Sequence, residues 1–159
     1  MLIACGAIHQ QIRHIFVRTL IAFFCIAAMV APATSAVPSV AYTVAITKPA
    51  SATLSVTMTF TPTTADSIDV CIPKWSPGWY VLLNTPANIT GVAATQDGAP
   101  LNLAHPTPAQ WTLTPVPGKL VTLQYTVRTE TKGLGFFHAT ISENHAFIPG
   151  TTTLMYIKG

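Results

Sequence analysis

Residues 52–60 read Ala52-Thr53-Leu54-Ser55-Val56-Thr57-Met58-Thr59-Phe60. Apolar side chains hold every even position and hydroxyl side chains every odd one. A period of two puts one face of an extended chain on a core and the other in water, so this stretch predicts a half-buried β-strand. Residues 121–128 repeat the pattern, with Val121, Leu123, Tyr125 and Val127 alternating with Thr122, Gln124, Thr126 and Arg128. Tyr42, Val44 and Ile46 do so more briefly. Asp97-Gly98 separates two short apolar runs and predicts a hairpin turn. Further short strands are expected at 67–72, 89–95, 100–104, 110–114, 136–139 and 154–157. Pro106, Pro108, Pro115 and Pro117 bracket the strand around Trp111, which places that strand at a sheet edge. No window after residue 36 keeps a helical period, and twelve prolines after that point argue against helices of ordinary length. The fold class is therefore all-β: an antiparallel sandwich or curved open sheet of seven to nine short strands.

The amino terminus is of another kind. Arg13, His14 and Arg18 precede the apolar run TLIAFFCIAAMV (Thr19 to Val30), and small residues follow, Ala31, Ala33, Thr34, Ser35 and Ala36. Basic, then apolar, then small is the order of a secretory signal peptide, here residues 1–36, with cleavage expected after Ala36 or Ala33. The run has 12 residues, against the roughly 20 that a spanning helix needs, and Pro32 interrupts any extension. An uncleaved anchor or a buried core helix is the competing reading. A helical signal peptide followed by a β-domain at 37–159 implies an exported protein, periplasmic or secreted, that meets the membrane only in transit.

The residues after 36 carry six basic side chains (Lys48, Lys74, Lys119, Arg128, Lys132, Lys158) and five acidic ones (Asp66, Asp69, Asp97, Glu130, Glu143), a net charge of +1. Nucleic acid calls for a clustered basic face, so no nucleic-acid partner is expected. Removing the leader removes Cys5 and Cys25 and leaves Cys71, which has no cysteine to pair with and sits in an apolar run as a small buried strand residue.

The most specific stretch is Ile72-Pro73-Lys74-Trp75-Ser76-Pro77-Gly78-Trp79-Tyr80. Pro77-Gly78 fits the two central positions of a type II turn, because Pro fixes φ near −65° and Gly accepts φ > 0. Trp75, Trp79 and Tyr80 surround it. They read either as a hydrophobic corner locking the turn onto the core or as a platform for peptide or sugar. The pattern P-x-W-x-P-G-x-Y resembles the signature of the glycyl aminopeptidase family of zinc peptidases, gluzincins that usually carry a PDZ domain at the far end. Tyr42-Thr43-Val44, Asn88-Ile89-Thr90, Asp97-Gly98-Ala99-Pro100-Leu101, Trp111-Thr112-Leu113, Val121 to Val127, Phe147-Ile148-Pro149-Gly150 and Leu154-Met155-Tyr156 resemble other segments of its amino-terminal domain in the same order. Trp79 departs from the family, which usually has Ser or another small residue there. The family-motif residues are Pro73, Trp75, Pro77, Gly78, Trp79 and Tyr80, and their expected role is structural.

The resemblance implies a peptidase domain but not its chemistry. A gluzincin holds zinc with H-E-x-x-H on a helix and a distal Glu. After residue 36 the histidines are His105, His138 and His145, and none opens H-E-x-x-H. Glu143 and His145, with His138 seven residues before the latter, match no zinc spacing, and Ser142 lies in no nucleophile elbow. No catalytic, cofactor-binding or metal-ligating residue is therefore expected in this chain, and zinc belongs only to a catalytic domain outside it. The chain ends directly after an apolar strand, which supports reading it as a fragment. The expected function is that of a non-catalytic amino-terminal β-domain of an exported zinc aminopeptidase, packing against the catalytic domain in cis and helping wall its cleft. The alternative is a free-standing secreted β-module that binds peptide, sugar or protein through the aromatic corner.

Overall fold

Leu54, Val56, Met58 and Phe60 are each 1% exposed or less, so the alternation at 53–60 does bury one face. A computed structural model describes residues 39–78, 80–129 and 138–159. The expected signal peptide, Trp79 and part of the strand expected at 136–139 lie outside the described residues. In chain order the strands are β1 (Val40–Ala45), β2 (Thr53–Phe60), β3 (Ile68–Cys71), β4 (Ile89–Gln96), β5 (Ala99–Leu101), β6 (Ala104–Thr107), β7 (Gln110–Leu113), β8 (Val121–Arg128), β9 (Thr140–Ile141), β10 (Ala146–Phe147) and β11 (Tyr156–Ile157). One helical turn, α1 (Gly150–Thr153), precedes β11, and 3-10 turns occupy Pro49–Ser51 and Thr85–Asn88.

The strands form a five-stranded sheet in the order β1-β2-β8-β4-β5, a four-stranded sheet in the order β11-β3-β7-β6, and the β9/β10 hairpin. Every pairing is antiparallel. One hydrophobic cluster joins the inner faces of the two larger sheets. Leu54, Met58, Leu123 and Val127 come from the first sheet and Val70, Trp111 and Leu113 from the second, with Ile141 and Met155 added. Burying each large aliphatic side chain contributes about 1.5–3 kcal/mol. The register Met58↔Leu123 and Val56↔Tyr125 sets core residues side by side on adjacent strands. The all-β antiparallel expectation holds. Eleven strands are described where seven to nine were expected: β6, β9 and β10 have no alternating apolar pattern to announce them, while His138 and Ala139, the described part of the stretch expected at 136–139, are not in a strand.

Three local readings meet their structure differently. Asp97 and Gly98 have φ of 48° and 83°, and Gln96 pairs with Ala99, which is the two-residue turn with positive φ at both positions that Asp-Gly favours. Trp111, placed at an edge by its flanking prolines, lies instead on β7 between β3 and β6 and is buried. Pro106 itself sits in β6, so the strand without a full set of donors takes the edge and β7 moves inward. Ala52 is not the first strand residue. Its φ is 50°, and its N–H closes the Pro49–Ser51 turn on the Pro49 carbonyl at 3.2 Å.

The chain returns to the core through residues 149–157. Buried Tyr125 and half-buried Tyr42 reach this segment from the five-stranded sheet: Tyr125 donates to the Thr153 carbonyl and accepts from the Met155 N–H, and Tyr42 donates to the Met155 carbonyl. Among the described residues no helix is long and apolar enough to cross a membrane.

Candidate functional site

The P-x-W-x-P-G-x-Y residues leave the four-stranded sheet where β3 ends. Pro73 has no N–H to continue the ladder, and the chain swings out and comes back at residue 85. Polar groups close the neck of this loop. The Leu83 N–H donates to the Lys74 carbonyl at 2.6 Å, and the Thr85 hydroxyl donates to the Pro73 carbonyl. Buried Ser76 shares a 3.1 Å hydroxyl contact with Thr151 of α1, tying the loop to the returning segment. Gly78 has φ 83°, the value required at the third position of a type II turn. A Cβ there would meet nothing within 4 Å, so the glycine is needed for backbone conformation rather than for space.

Two of the loop's aromatic side chains, Trp75 and Tyr80, are exposed to solvent. Tyr80 is 99% exposed and Trp75 50% exposed. Pro77 and Gly78 are exposed and Pro73 half-buried, while Trp79 lies outside the described residues. The hydrogen bonds Leu83–Lys74, Thr85–Pro73 and Ser76–Thr151 fasten the neck of this loop. Val81 and Leu82 extend the exposed apolar surface, Leu82 to 72%. Sequence reasoning passed over these two. The signal available was that no charged residue stands between Trp75 and Asn88, in a stretch with neither strand nor helix periodicity. An exposed apolar stretch without charged side chains is suited to docking.

Elsewhere the chemistry is sparse. The outer face of the four-stranded sheet carries a row of one residue per strand, Tyr156↔Cys71↔Gln110↔Thr107, and a shallow pocket of about 240 Å³ lies over it, with Lys74 and Lys158 at its rim. Burial chiefly, and Asp69 next, push the Cys71 thiol above its ordinary range while Lys158 pulls it down, so the sulfur is held as a thiol at neutral pH. No histidine lines the pocket, and a nucleophile needs such a base within reach.

Ser142 and His145 are brought together, with Oγ to Nδ1 at 2.8 Å. The same Oγ accepts from the His145 N–H at 3.1 Å, and the Ser142 N–H donates to the His145 carbonyl at 2.9 Å. This is the turn of the β9/β10 hairpin: the serine oxygen is engaged in holding backbone, and its contact with the ring follows from the spacing of three. Among the described residues no group of three His, Cys, Asp or Glu side chains is placed to hold a metal ion.

A comparison with curated proteins returns no significant match. Among solved structures, the chain is similar to the crystal structure of an aminopeptidase N family protein from Idiomarina loihiensis, with a TM-score of 0.67 and 22% identity over 76% of this chain. At that identity the likeness is one of fold. The chain spans about a fifth of the length of that relative, 20%. The family model described as the peptidase M61 N-terminal domain matches residues 41–159, which takes in both large sheets, the P-x-W-x-P-G-x-Y loop and the returning segment. The chain belongs to the family of peptidase M61 N-terminal domains.

Proposed function

We propose that this chain serves as the non-catalytic amino-terminal domain of an exported zinc aminopeptidase of the glycyl aminopeptidase type, and that it docks on the catalytic domain and helps wall its cleft. The observation that carries this reading is the M61 N-terminal family match over residues 41–159. The exposed apolar loop at Tyr80, Val81 and Leu82 supplies a surface for docking, since exposed apolar patches mark interaction sites. Zinc, H-E-x-x-H and the distal Glu belong to that partner domain. This chain contributes shape and apolar contact. The basic-apolar-small order of residues 1–36 supports export, and cleavage after Ala36 or Ala33 would leave a β-domain that begins just before β1.

The test is to co-express this chain with the H-E-x-x-H region encoded in frame downstream, as two polypeptides, and to isolate them through a tag on one. Co-isolation, with peptidase activity that depends on both, supports the reading. The absence of any such downstream region, or two parts that do not associate, refutes it. A second reading is favoured by the exposure of Trp75 and Tyr80: a free-standing secreted module presenting these rings to a peptide, sugar or protein. Saturable binding of such a ligand, lost in Tyr80→Ser, would select it.

A further inference from the structure

The two larger sheets have four edge strands, and three of them are guarded. β5 is three residues long and contains Pro100. β6 contains Pro106, and its register with β7 is broken between Ala104 and Thr107. β11 has two residues and is followed by Lys158. Short length, proline, irregular register and lysine are the devices by which natural sheets block the addition of another strand. β1 has none of them. It runs for six residues, VAYTVA, in unbroken register with β2, without proline, and no charged residue lies between Val37 and Thr47. Among the described residues nothing pairs with its outer side. Every second residue of an edge strand turns its N–H and C=O outward, so among the described residues β1 presents a row of unmet donors and acceptors.

We propose that β1 is a strand-addition surface whose occupant is β1 of a second copy of this chain, joined antiparallel about a two-fold axis through Thr43. A two-fold perpendicular to the sheet keeps the buried faces on the same side, so residues of like parity must stand opposite one another. Centring on Thr43 sets Thr43 against its own copy, Tyr42 against Val44, and Ala41 against Ala45. Thr–Thr and aromatic–β-branched neighbours are among the favourable cross-strand pairs. Ala41, Thr43 and Ala45 are exposed, so the partner strand meets no charge. The interface is isologous and closes as a dimer, joining the two five-stranded sheets into one. The net charge of +1 on residues 37–159 opposes this association little.

Sedimentation velocity over a concentration series tests the proposal, on the full chain and on Val37–Gly159, which is a compact unit by itself. The wild type is expected to show a reversible monomer–dimer equilibrium. Thr43→Lys and Thr43→Glu place like charges opposite one another across the axis, and each should weaken the dimer about tenfold or more. Mixed in equal amounts, the two variants should regain association, because residue 43 faces residue 43 only in this register. Circular dichroism and thermal melting should match the wild type for both, since Thr43 is exposed. Ala99→Lys, on guarded β5, and Leu82→Ser, on the apolar loop, should leave the dimer constant unchanged. A wild type that stays monomeric overturns the proposal. So does a dimer insensitive to Thr43→Lys, a mixture that fails to re-associate, or a dimer lost in Leu82→Ser, which would assign the contact to the loop.

Discussion

Tyr125 and Met155 are joined through a phenol that works in both directions: the Tyr125 hydroxyl accepts the Met155 N–H at 3.0 Å and donates to the Thr153 carbonyl at 3.0 Å. Two backbone groups on either side of Leu154 are thereby satisfied inside the core by one side chain from β8. Removing the oxygen leaves both unpaired, at about 1–3 kcal/mol for a buried group. Tyr125→Phe is expected to lower unfolding stability by about 2–3 kcal/mol. Tyr42→Phe, which frees only the Met155 carbonyl at a less buried site, should cost about 1 kcal/mol. Urea unfolding midpoints of the two variants decide the order.

The same phenol predicts an alkaline limit to stability. Burial chiefly, with Tyr42 adding to it and the Met155 hydrogen bond opposing it, pushes the Tyr125 pKa up from 10 to about 12. Burial also raises Tyr42. The folded state holds its proton more tightly than the unfolded chain does. The stabilisation is therefore complete below pH 10 and is lost as the pH climbs from about 10 to about 12, amounting to up to about 2 kcal/mol. Stability measured against pH should fall across that window in the wild type and fall less in Tyr125→Phe. Phenolate absorbance should develop together with unfolding. A flat profile to pH 12 would contradict the role given to Tyr125.

Strands β2 and β8 were legible because each has one face in the core and one in water, which writes a period of two into the sequence. Asp97-Gly98 was legible because few dipeptides tolerate two consecutive positive φ values. The strand in the returning segment was legible from 154–157, but the helical turn before it was not, because Gly150-Thr151-Thr152-Thr153 has no apolar period and is held by Tyr125, far away in sequence. Trp111 was misplaced at an edge because flanking prolines say that an edge is near, not which strand forms it. At the P-x-W-x-P-G-x-Y loop the turn was readable from Pro77-Gly78. The neck was not, since Thr85–Pro73 and Ser76–Thr151 are contacts that no local pattern encodes.

Two substitutions of opposite sign test the backbone conformations. Gly78 sits at φ 83° with open space at its Cβ position, so Gly78→Ala costs only the conformational penalty, about 1 kcal/mol. Ala52 already bears such a penalty at φ 50°. Ala52→Gly relieves it at some cost in unfolded-state entropy and should stabilise the protein by roughly 0.5 kcal/mol. Thermal midpoints should move down for the first and up for the second.

Thr153 is fully buried, and among the described residues its hydroxyl has no hydrogen-bond partner. Valine has the same shape without the unpaired oxygen. Thr153→Val is therefore expected to raise stability by about 1 kcal/mol, read as a higher denaturant midpoint with an unchanged slope. A loss of stability would show that the hydroxyl has a partner.

The loop separates what holds the domain together from what it offers to a partner. Tyr80 and Leu82 are 99% and 72% exposed, so neither contributes much to the domain's own core. Tyr80→Ser and Leu82→Ser should each leave the unfolding midpoint of this chain alone within about 0.5 kcal/mol, as for most surface changes. If the loop seats in a catalytic domain, both side chains become buried on association, and truncating Leu82 should then weaken docking by about 1–2 kcal/mol, close to the transfer free energy of its lost apolar surface. The two measurements are independent. Unchanged stability with weakened association places the loop in the interface. Unchanged stability with unchanged association removes it from the interface while leaving the family assignment intact. A large loss of stability in the isolated chain would mean that Leu82 packs inside the domain, contrary to the structure.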